Sequence, residues 1–395
     1  MILNEKILNK ATTINTSDDT YILFIGLVSK TNTHYAVNVA KIREPDNESN
    51  EKMDSHWISE FAYQLNLRLP GGFAILGFGL VTKKVTSEND NLLVKAVQRY
   101  YKKLPSFEKT FINSDFITVV FENEKILGKI VSGSNGSKMN DQVKFEKISL
   151  HTVNSSLNFT WDFYSPGGDT FFEKCSKGFE SLTECLLNSN LFIKNDEIGN
   201  SSEEIRCDEK INMLMDYCSN NKNIIVNDTF LHHITLNIDM ELRCSVRHLD
   251  TFESALSCLK LTLLRSLYAR IELYSLSIEL VTSVPENNIQ LHQMPKIVTM
   301  SNEYDEYLID YAEGDDDIDE TVNEVKLLIG DYALDKTLVD STKERFCETE
   351  EINIITNFMD KNLKTNTIKN NFLIYLSIII VFLAILIIPI LKYVM

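Results

Sequence analysis

Cationic side chains are scarce in this sequence. Its 395 residues hold 39 Lys and Arg against 56 Asp and Glu, a formal net charge of −17, and no basic block appears outside the last stretch before the C-terminus. Nucleic-acid binders displace counterions from phosphate with clustered cations, so nucleic acid is excluded as a partner. Metal-binding spacings are missing too. The seven cysteines, Cys175, Cys185, Cys207, Cys218, Cys244, Cys258 and Cys347, are an odd number and form no CxxC pair, which leaves zinc-ribbon and thioredoxin-like readings without support. None of the seven histidines, His34, His56, His151, His232, His233, His248 and His292, falls in HExxH, HxH or CxxCH.

His232 and His233 are neighbours in LHHITLNIDMEL, where adjacent strand positions face opposite ways and a shared ion is awkward. His56 and Glu60 share a helix face, the geometry of an ordinary solvated pair. No cysteine stands in a nucleophile context. The acidic stretch DEYLIDYAEGDDDIDE, residues 305–320, lacks the order of an EF-hand loop and reads as a solvated loop. The expectation is no catalytic residue, no cofactor and no metal site.

With 44% hydrophobic and 24% charged residues the chain is globular, and its length suits two ordinary domains. Its clearest feature is FLIYLSIIIVFLAILIIPIL, which opens on Phe372, closes on Leu391 and holds no charged residue. At about 1.5 Å per residue this run matches the roughly 30 Å hydrocarbon core of a bilayer. A transmembrane helix is expected at 372–391, followed only by Lys392 to Met395. Such a segment leaves the ribosome after translation ends, which is the logic of a tail anchor. The N-terminus MILNEKILNKATTINTS has no long apolar run or cleavage site, so no secretory signal is expected and the bulk of the chain is placed in the cytosol. Lys361, Lys364 and Lys369 before the span agree with that orientation, although Lys392 weakens the asymmetry.

An α+β fold follows from the order of patterns. YILFIGLV (21–28) and HYAVNVAKI (34–42) read as a hairpin. From Trp57 the apolar residues Trp57, Ile58, Phe61, Ala62, Leu65 and Leu69 mark one helix face, with Asp54 or Ser55 as N-cap and Pro70 as the stop. A second helix starts near Asp90, and strand-like runs follow at 116–121, 126–131 and 143–153. Polar KNDEIGNSSEE, 194–204, reads as a linker. Beyond it, residues 236–246 alternate without a break and predict a half-buried antiparallel strand with Cys244 inside. Asp250 and Glu253 suit a capping box for a helix striped by Phe252, Ala255, Leu256, Leu259, Leu263, Leu267 and Ile271, and a further strand is expected at 277–284. The expected units are 1–165, a linker or surface loop 166–205, a second α+β domain with an antiparallel sheet 206–336, a polar tether 337–371 and the span 372–391.

RLPGGFAILGFG (68–79) needs its own account. From Gly72 it reads Gly, four residues, Gly, but Phe78 and Gly79 stand where a phosphate-binding loop has Lys and Ser or Thr. A P-loop also runs from strand to helix, whereas here a helix precedes and a strand follows. Pro70, Gly71 and Gly72 suit a tight turn, and Gly77 and Gly79 permit a bulge or close backbone approach. These five residues are read as fold-defining or as a candidate partner surface, with residues 305–320 as a second candidate.

WISEFAYQLNLRLPGGFAILGFGLV, then ELRCSVRHLDTFESALSCLKLTLLRSL, then MPKIVTM with an acidic stretch and a C-terminal span, resembles the odorant-response-abnormal family. The resemblance implies a tail-anchored endoplasmic-reticulum protein that acts in maturation and trafficking of chemosensory G-protein-coupled receptors. It also implies a link to anchoring the cysteine protease that processes the ubiquitin-fold modifier Ufm. The first domain of that family is held to be MPN-like. Active MPN metalloproteases carry HxH where this sequence has Gly79, Leu80, Val81 and Thr82, so the resemblance implies a pseudoenzyme and a possible heterodimer through that domain. The expected function is a non-catalytic adaptor on the endoplasmic-reticulum membrane, acting by raising local concentration. The alternatives are a membrane-tethered hydrolase using His232, His233 or a cysteine, and a receptor chaperone without a protease partner.

Overall fold

A computed structural model describes residues 1–13, 19–28, 33–45, 53–123, 125–166, 171–188, 191–193, 196–197, 211–213, 218–219, 231–248, 250–281, 295–301, 307–312, 318–329 and 338–339. The first unit contains β1 (Ile2–Asn4), α1 (Glu5–Thr13), β2 (Thr20–Leu27), β3 (Tyr35–Lys41), α2 (Ser55–Leu67), β4 (Phe73–Thr82), α3 (Ser87–Lys103), α4 (Ser106–Phe111), β5 (Asp115–Glu122), β6 (Lys125–Ser132), β7 (Lys138–Asp141) and β8 (Lys144–Glu146). Its strands form one mixed eight-stranded sheet in the order β7-β6-β5-β4-β2-β3-β1-β8. The expected hairpin is β2–β3, and the helix expected from Trp57 is α2, whose N-cap Asp54 accepts from the amides of His56 and Trp57.

The two outermost strands, β7 and β8, are separated in sequence by Gln142 and Val143 alone. At roughly 3.3–3.6 Å per residue that connection brings the ends of the sheet close together, so the sheet curls. The Met1 ammonium sits at the seam, 2.6 Å from the Asp141 carboxylate and 3.2 Å from the Gln142 carbonyl. One face of the sheet packs Leu3, Ile7, Ile22, Phe24, Val39, Ile117 and Val119 under α1. The other buries Ile58, Leu65, Phe78, Tyr100 and Phe116 against α2 and α3, with Tyr100 edge-on to Phe78 and Phe116 at 5.8 and 5.7 Å.

The second unit begins earlier than the sequence pattern suggests. Strand β9 (Leu150–Pro166) pairs antiparallel, residue for residue, with Leu231–Arg247, from Leu150↔Arg247 to Pro166↔Leu231. Residues 150–165 therefore belong with the second sheet, not with the first unit. The single strand expected at 143–153 is divided into β8 and the first residues of β9, and beyond it buried Ser155, between Val153 and Leu157, breaks the alternation and hides the rest of β9 in the sequence. The proposed linker 166–205 also contains a helix, α5 (Phe171–Leu187), whose Phe179, Leu182 and Leu186 are buried in the core. Short strands β10 (Leu191–Ile193), β11 (Asp196–Glu197) and β12 (Ile211–Met213) form a small sheet, and β13 (Cys218–Ser219) edges β9.

The strand predicted at 236–246 is β14 (Leu231–Arg247), with Ile238, Met240, Leu242, Cys244 and Val246 inward as its alternation requires. The following helix, α6 (Phe252–Val281), is capped by Thr251, whose Oγ1 accepts from the Ser254 amide at 3.3 Å. Asp250 instead accepts from the Arg247 amide at 3.0 Å. Residues 277–281 extend α6, contrary to the strand expected there; apolar runs of that length do not separate helix from strand. The chain then returns to the first unit. Strands β15 (Lys296–Ser301), β16 (Tyr307–Ala312) and β17 (Leu338–Val339) form a sheet beside α7 (Ile318–Ile329). Val298, Met300, Leu308, Ala312, Val322 and Val325 join the core beneath α2 and α3. Of the acidic stretch 305–320, Tyr307–Ala312 is a largely buried strand and residues 318–320 start a helix with Asp319 and Glu320 exposed, while 305–306 and 313–317 lie outside the described residues. The expected transmembrane span and most of the tether lie outside the described residues. Among the described residues no helix is long and apolar enough to cross a membrane.

Where the units meet, the Pro70–Phe73 turn is wedged between β14 and α6. The Phe73 amide donates to the Pro70 carbonyl at 3.1 Å, and the Gly71 carbonyl accepts from the Ser245 amide at 3.0 Å. A Cβ on Gly71 would lie 1.6 Å from Thr262 Oγ1; one on Gly72, whose φ is +89°, would lie 1.8 Å from the Ser245 carbonyl oxygen. Only glycine fits either position without strain.

Beside the turn, Arg265 of α6 is fully buried and spends all its N–H groups. Nε donates to Glu108 Oε1 at 2.9 Å and Nη2 to Glu108 Oε2 at 3.1 Å and Asn66 Oδ1 at 3.3 Å, while Nη1 donates to the carbonyls of Phe73 at 2.6 Å and Leu69 at 3.4 Å. Asn66 Nδ2 completes the Glu108 carboxylate from its other side, at 3.0 and 2.9 Å. Arg265→Ala is expected to destabilise the chain by about 3–5 kcal/mol, because it leaves Glu108 buried without a counter-charge. Arg265→Met combined with Glu108→Leu is expected to cost less than that single change, and urea denaturation of both variants measures the difference.

Candidate functional site

An open groove of about 350 Å³ lies on the first unit, lined by Arg43, Trp57, Glu60, Phe61, Gln64, Arg68 and Glu324. Trp57, Glu60, Phe61, Gln64 and Arg68 recur at helical spacing and form one face of α2 and its C-cap. Arg43 follows β3, and Glu324 faces in from α7. The Trp57 indole is held by donating to the Arg43 carbonyl at 2.7 Å, which leaves its ring as an apolar wall.

A polar chain runs along the groove. Lys103 pairs with Glu60, Gln64 donates to Glu60 at 3.2 Å, and Arg68 donates to the Gln64 carbonyl at 3.1 Å and to the Asp310 carboxylate at 2.9 Å. The Arg68 carbonyl in turn accepts from the Ile309 amide at 2.8 Å, so β16 fixes the closed end. Aromatic surface beside balanced charges suits recognition of a polypeptide or small organic group. The lining holds no histidine, cysteine or serine, so it offers neither an activated nucleophile nor a general base of histidine type.

The glycine-rich motif lies elsewhere. Pro70, Gly71, Gly72, Gly77 and Gly79 are all buried; the first three form the joint described above, and the last two lie inside β4. The Gly79 to Thr82 positions, where HxH would stand, are likewise buried in β4. Glu60 pairs with Lys103 and Gln64, not with His56. His232 and His233 lie on β14 opposite Ser165 and Tyr164, and their side chains are outside the described set. Phe372 and Leu391 lie outside the described residues. Two histidines that the sequence does not bring together do meet: His151 Nε2 contacts His248 Nδ1, a pairing set by the β9–β14 register. No group of three or more His, Cys, Asp or Glu that could hold a metal occurs among the described residues.

Of the four described thiols, Cys175, Cys244 and Cys258 are buried and Cys185 is partly exposed. Burial pushes the Cys258 thiol up to about 12, and burial with a contribution from Cys258 pushes Cys244 well above its ordinary value. A thiol attacks as thiolate, so neither is a nucleophile at neutral pH. His34, buried at the mouth of β3, has its imidazole held below the ordinary value of 6.5 by burial and then by the Met1 ammonium.

A curled mixed sheet welded to a second sheet through a buried arginine, with a recognition groove on its outer helical face, defines an α+β scaffold. The chain belongs to the Odorant response abnormal 4-like family, whose model matches residues 17–340. It is 26% identical over 302 residues to Odorant response abnormal protein 4 of Caenorhabditis elegans, covering 67% of this chain and 60% of that protein. It is 24% identical over 241 residues to the odr-4 homolog of Dictyostelium discoideum, covering 57% of this chain and 51% of that protein. The chain thus spans between about half and three fifths of the length of these curated relatives. Among solved structures, that of UfSP from C. elegans aligns over 83% of this chain and 56% of its own, at 9% identity and a TM-score of 0.45, too loose a likeness to support an argument.

Two measurements check the burial of the thiols and of His34. Cys244 and Cys258 are expected to resist iodoacetamide in the folded chain at mildly alkaline pH and to react once urea unfolds it; mass spectrometry reads the labelled sites. The stability that His34 contributes is complete above its unfolded value of 6.5 and is lost as pH falls towards its lower folded value. Urea midpoints measured across that range are expected to fall with acidification less steeply in His34→Gln than in the native chain.

Proposed function

We propose that this chain is a non-catalytic adaptor anchored in the endoplasmic-reticulum membrane by the apolar run 372–391, its bulk on the cytosolic side, acting in maturation and trafficking of chemosensory G-protein-coupled receptors. The observation that carries the reading is the match to the Odorant response abnormal 4-like family over residues 17–340, with the uncharged run 372–391 beyond its end. The first unit is the part proposed to be MPN-like, a pseudoenzyme domain with Gly79 to Thr82 in place of an HxH pair. Support comes from the histidine-free lining of the groove and from the burial of Cys175, Cys244 and Cys258. Anchoring of the Ufm-specific cysteine protease belongs to the same proposal, with the MPN-like unit as a heterodimer surface and the groove under Trp57 as a docking place. Tethering a soluble partner near membrane clients accelerates their meeting by effective concentration and needs no active site.

Deleting residues 371–395 is expected to move the protein from the carbonate-resistant membrane fraction to the soluble one while its circular dichroism keeps the folded form. Persistence in the membrane fraction would refute the anchor. Affinity capture of the full chain from detergent extracts, compared with a Trp57→Ala chain, is expected to lose the protease or receptor partners that dock in the groove.

A further inference from the structure

One carboxylate on the surface of the second unit has no cation beside it among the described residues. Glu272 of α6 is half-buried and makes no hydrogen bond or ion pair among the described residues. Burial alone holds its carboxyl above the usual range. The contrast with Glu108 is instructive: that carboxylate, fully buried, is met by Arg265 and Asn66 on both oxygens. Withdrawing a carboxylate from water is unfavourable unless a cation replaces the lost hydration, and no described residue replaces it at Glu272.

Its surroundings form a rim. Tyr268 stands one helical turn before Glu272 and Leu276 one turn after, so the three share a stripe of α6. The Tyr63 hydroxyl of α2 and that of Tyr268 lie close enough to interact, and the Glu272 charge, after burial, helps to hold both phenols above their ordinary value. Phe172 of α5 packs edge-on to Tyr268 at 5.1 Å. Leu276 is 55% exposed, one of few large apolar side chains so open to water. Aromatic rings beside a lone carboxylate, with an open leucine next to it, complement a cationic side chain whose aliphatic stem lies over the rings.

We propose that the Tyr63–Tyr268–Glu272–Leu276 surface is a binding site for a partner polypeptide that presents a Lys or Arg between apolar residues. The cation pairs with the Glu272 carboxylate, its stem covers Tyr268, and the neighbouring apolar side chain covers Leu276. The site is separate from the groove on the other face of α2 and does not depend on which cargo the chain serves. A chain of net charge −17 attracts basic segments at long range, and Glu272 then selects their register.

The test uses the full chain solubilised in digitonin and short fluorescein-labelled peptides that differ only at a central Arg, Gln or Glu flanked by leucines, with binding read by anisotropy. The native chain is expected to bind the Arg peptide about tenfold more tightly than the Gln peptide. Glu272→Gln, a substitution of the same shape, is expected to abolish that preference, and Glu272→Lys to transfer it to the Glu peptide. Leu276→Ser is expected to weaken all three peptides without changing their ranking. Melting temperatures of the variants confirm that each is folded. Equal binding of the Arg and Gln peptides, no binding of any peptide, or an Arg preference that survives Glu272→Gln would overturn the proposal.

Discussion

The buried cluster of Arg265, Glu108 and Asn66 holds the molecule together as one body. A buried ion pair adds little stability over an apolar packing of equal volume, so its importance lies in geometry. Arg265 reaches across from α6 to the carbonyls of Leu69 and Phe73, the groups left without helix or sheet partners at the turn between α2 and β4. It satisfies them while neutralising Glu108 from α4. Three elements of the first unit and the central helix of the second are thereby fixed in a single register.

That register explains the demand for glycine in the turn. With α6 and β14 pressed against it, the turn has no room for a side chain at Gly71 or Gly72. The same helix carries a second buried arginine, Arg270, whose guanidinium lies 5.9 Å from the Tyr311 ring centroid of β16. Strand β16 in turn reaches back to α2 through Asp310 and Arg68. The two units and the returning segment are therefore linked through α6 and α2, and the groove beside Trp57 takes its walls from parts of the chain far apart in sequence.

A scaffold of this kind suits recognition more than chemistry. Its ionisable groups along the groove are mostly neutralised in pairs, Cys175, Cys244 and Cys258 are buried, and its central polar cluster is sealed from solvent. Glu272 stands apart as a partly buried carboxylate on an outward stripe of α6 with no partner among the described residues, which is the feature the proposed peptide site uses. Family membership over residues 17–340 places the chain among proteins named for an odorant-response defect, and an adaptor reading needs nothing from the structure beyond shaped surfaces.

Local pattern determined much of the fold. The β2–β3 hairpin, α2 with its Asp54 cap, the strand that carries Cys244 and the turn at Pro70 to Gly72 all follow from period, capping and turn chemistry, which act over a few residues. The sequence also showed that no histidine or cysteine motif for catalysis is present. It could not show β9 beyond its first residues, where inward Ser155 interrupts the alternation, nor the end of α6, where an apolar run suits helix and strand alike. The groove, the His151–His248 contact and the role of Arg265 were equally invisible. Each depends on residues dozens to hundreds of positions apart, and only the burial that tertiary packing creates decides which charges must meet. Nothing in the local pattern of LKLTLLRSL singles out Arg265, and it becomes the centre of the joint because packing removes water from around it.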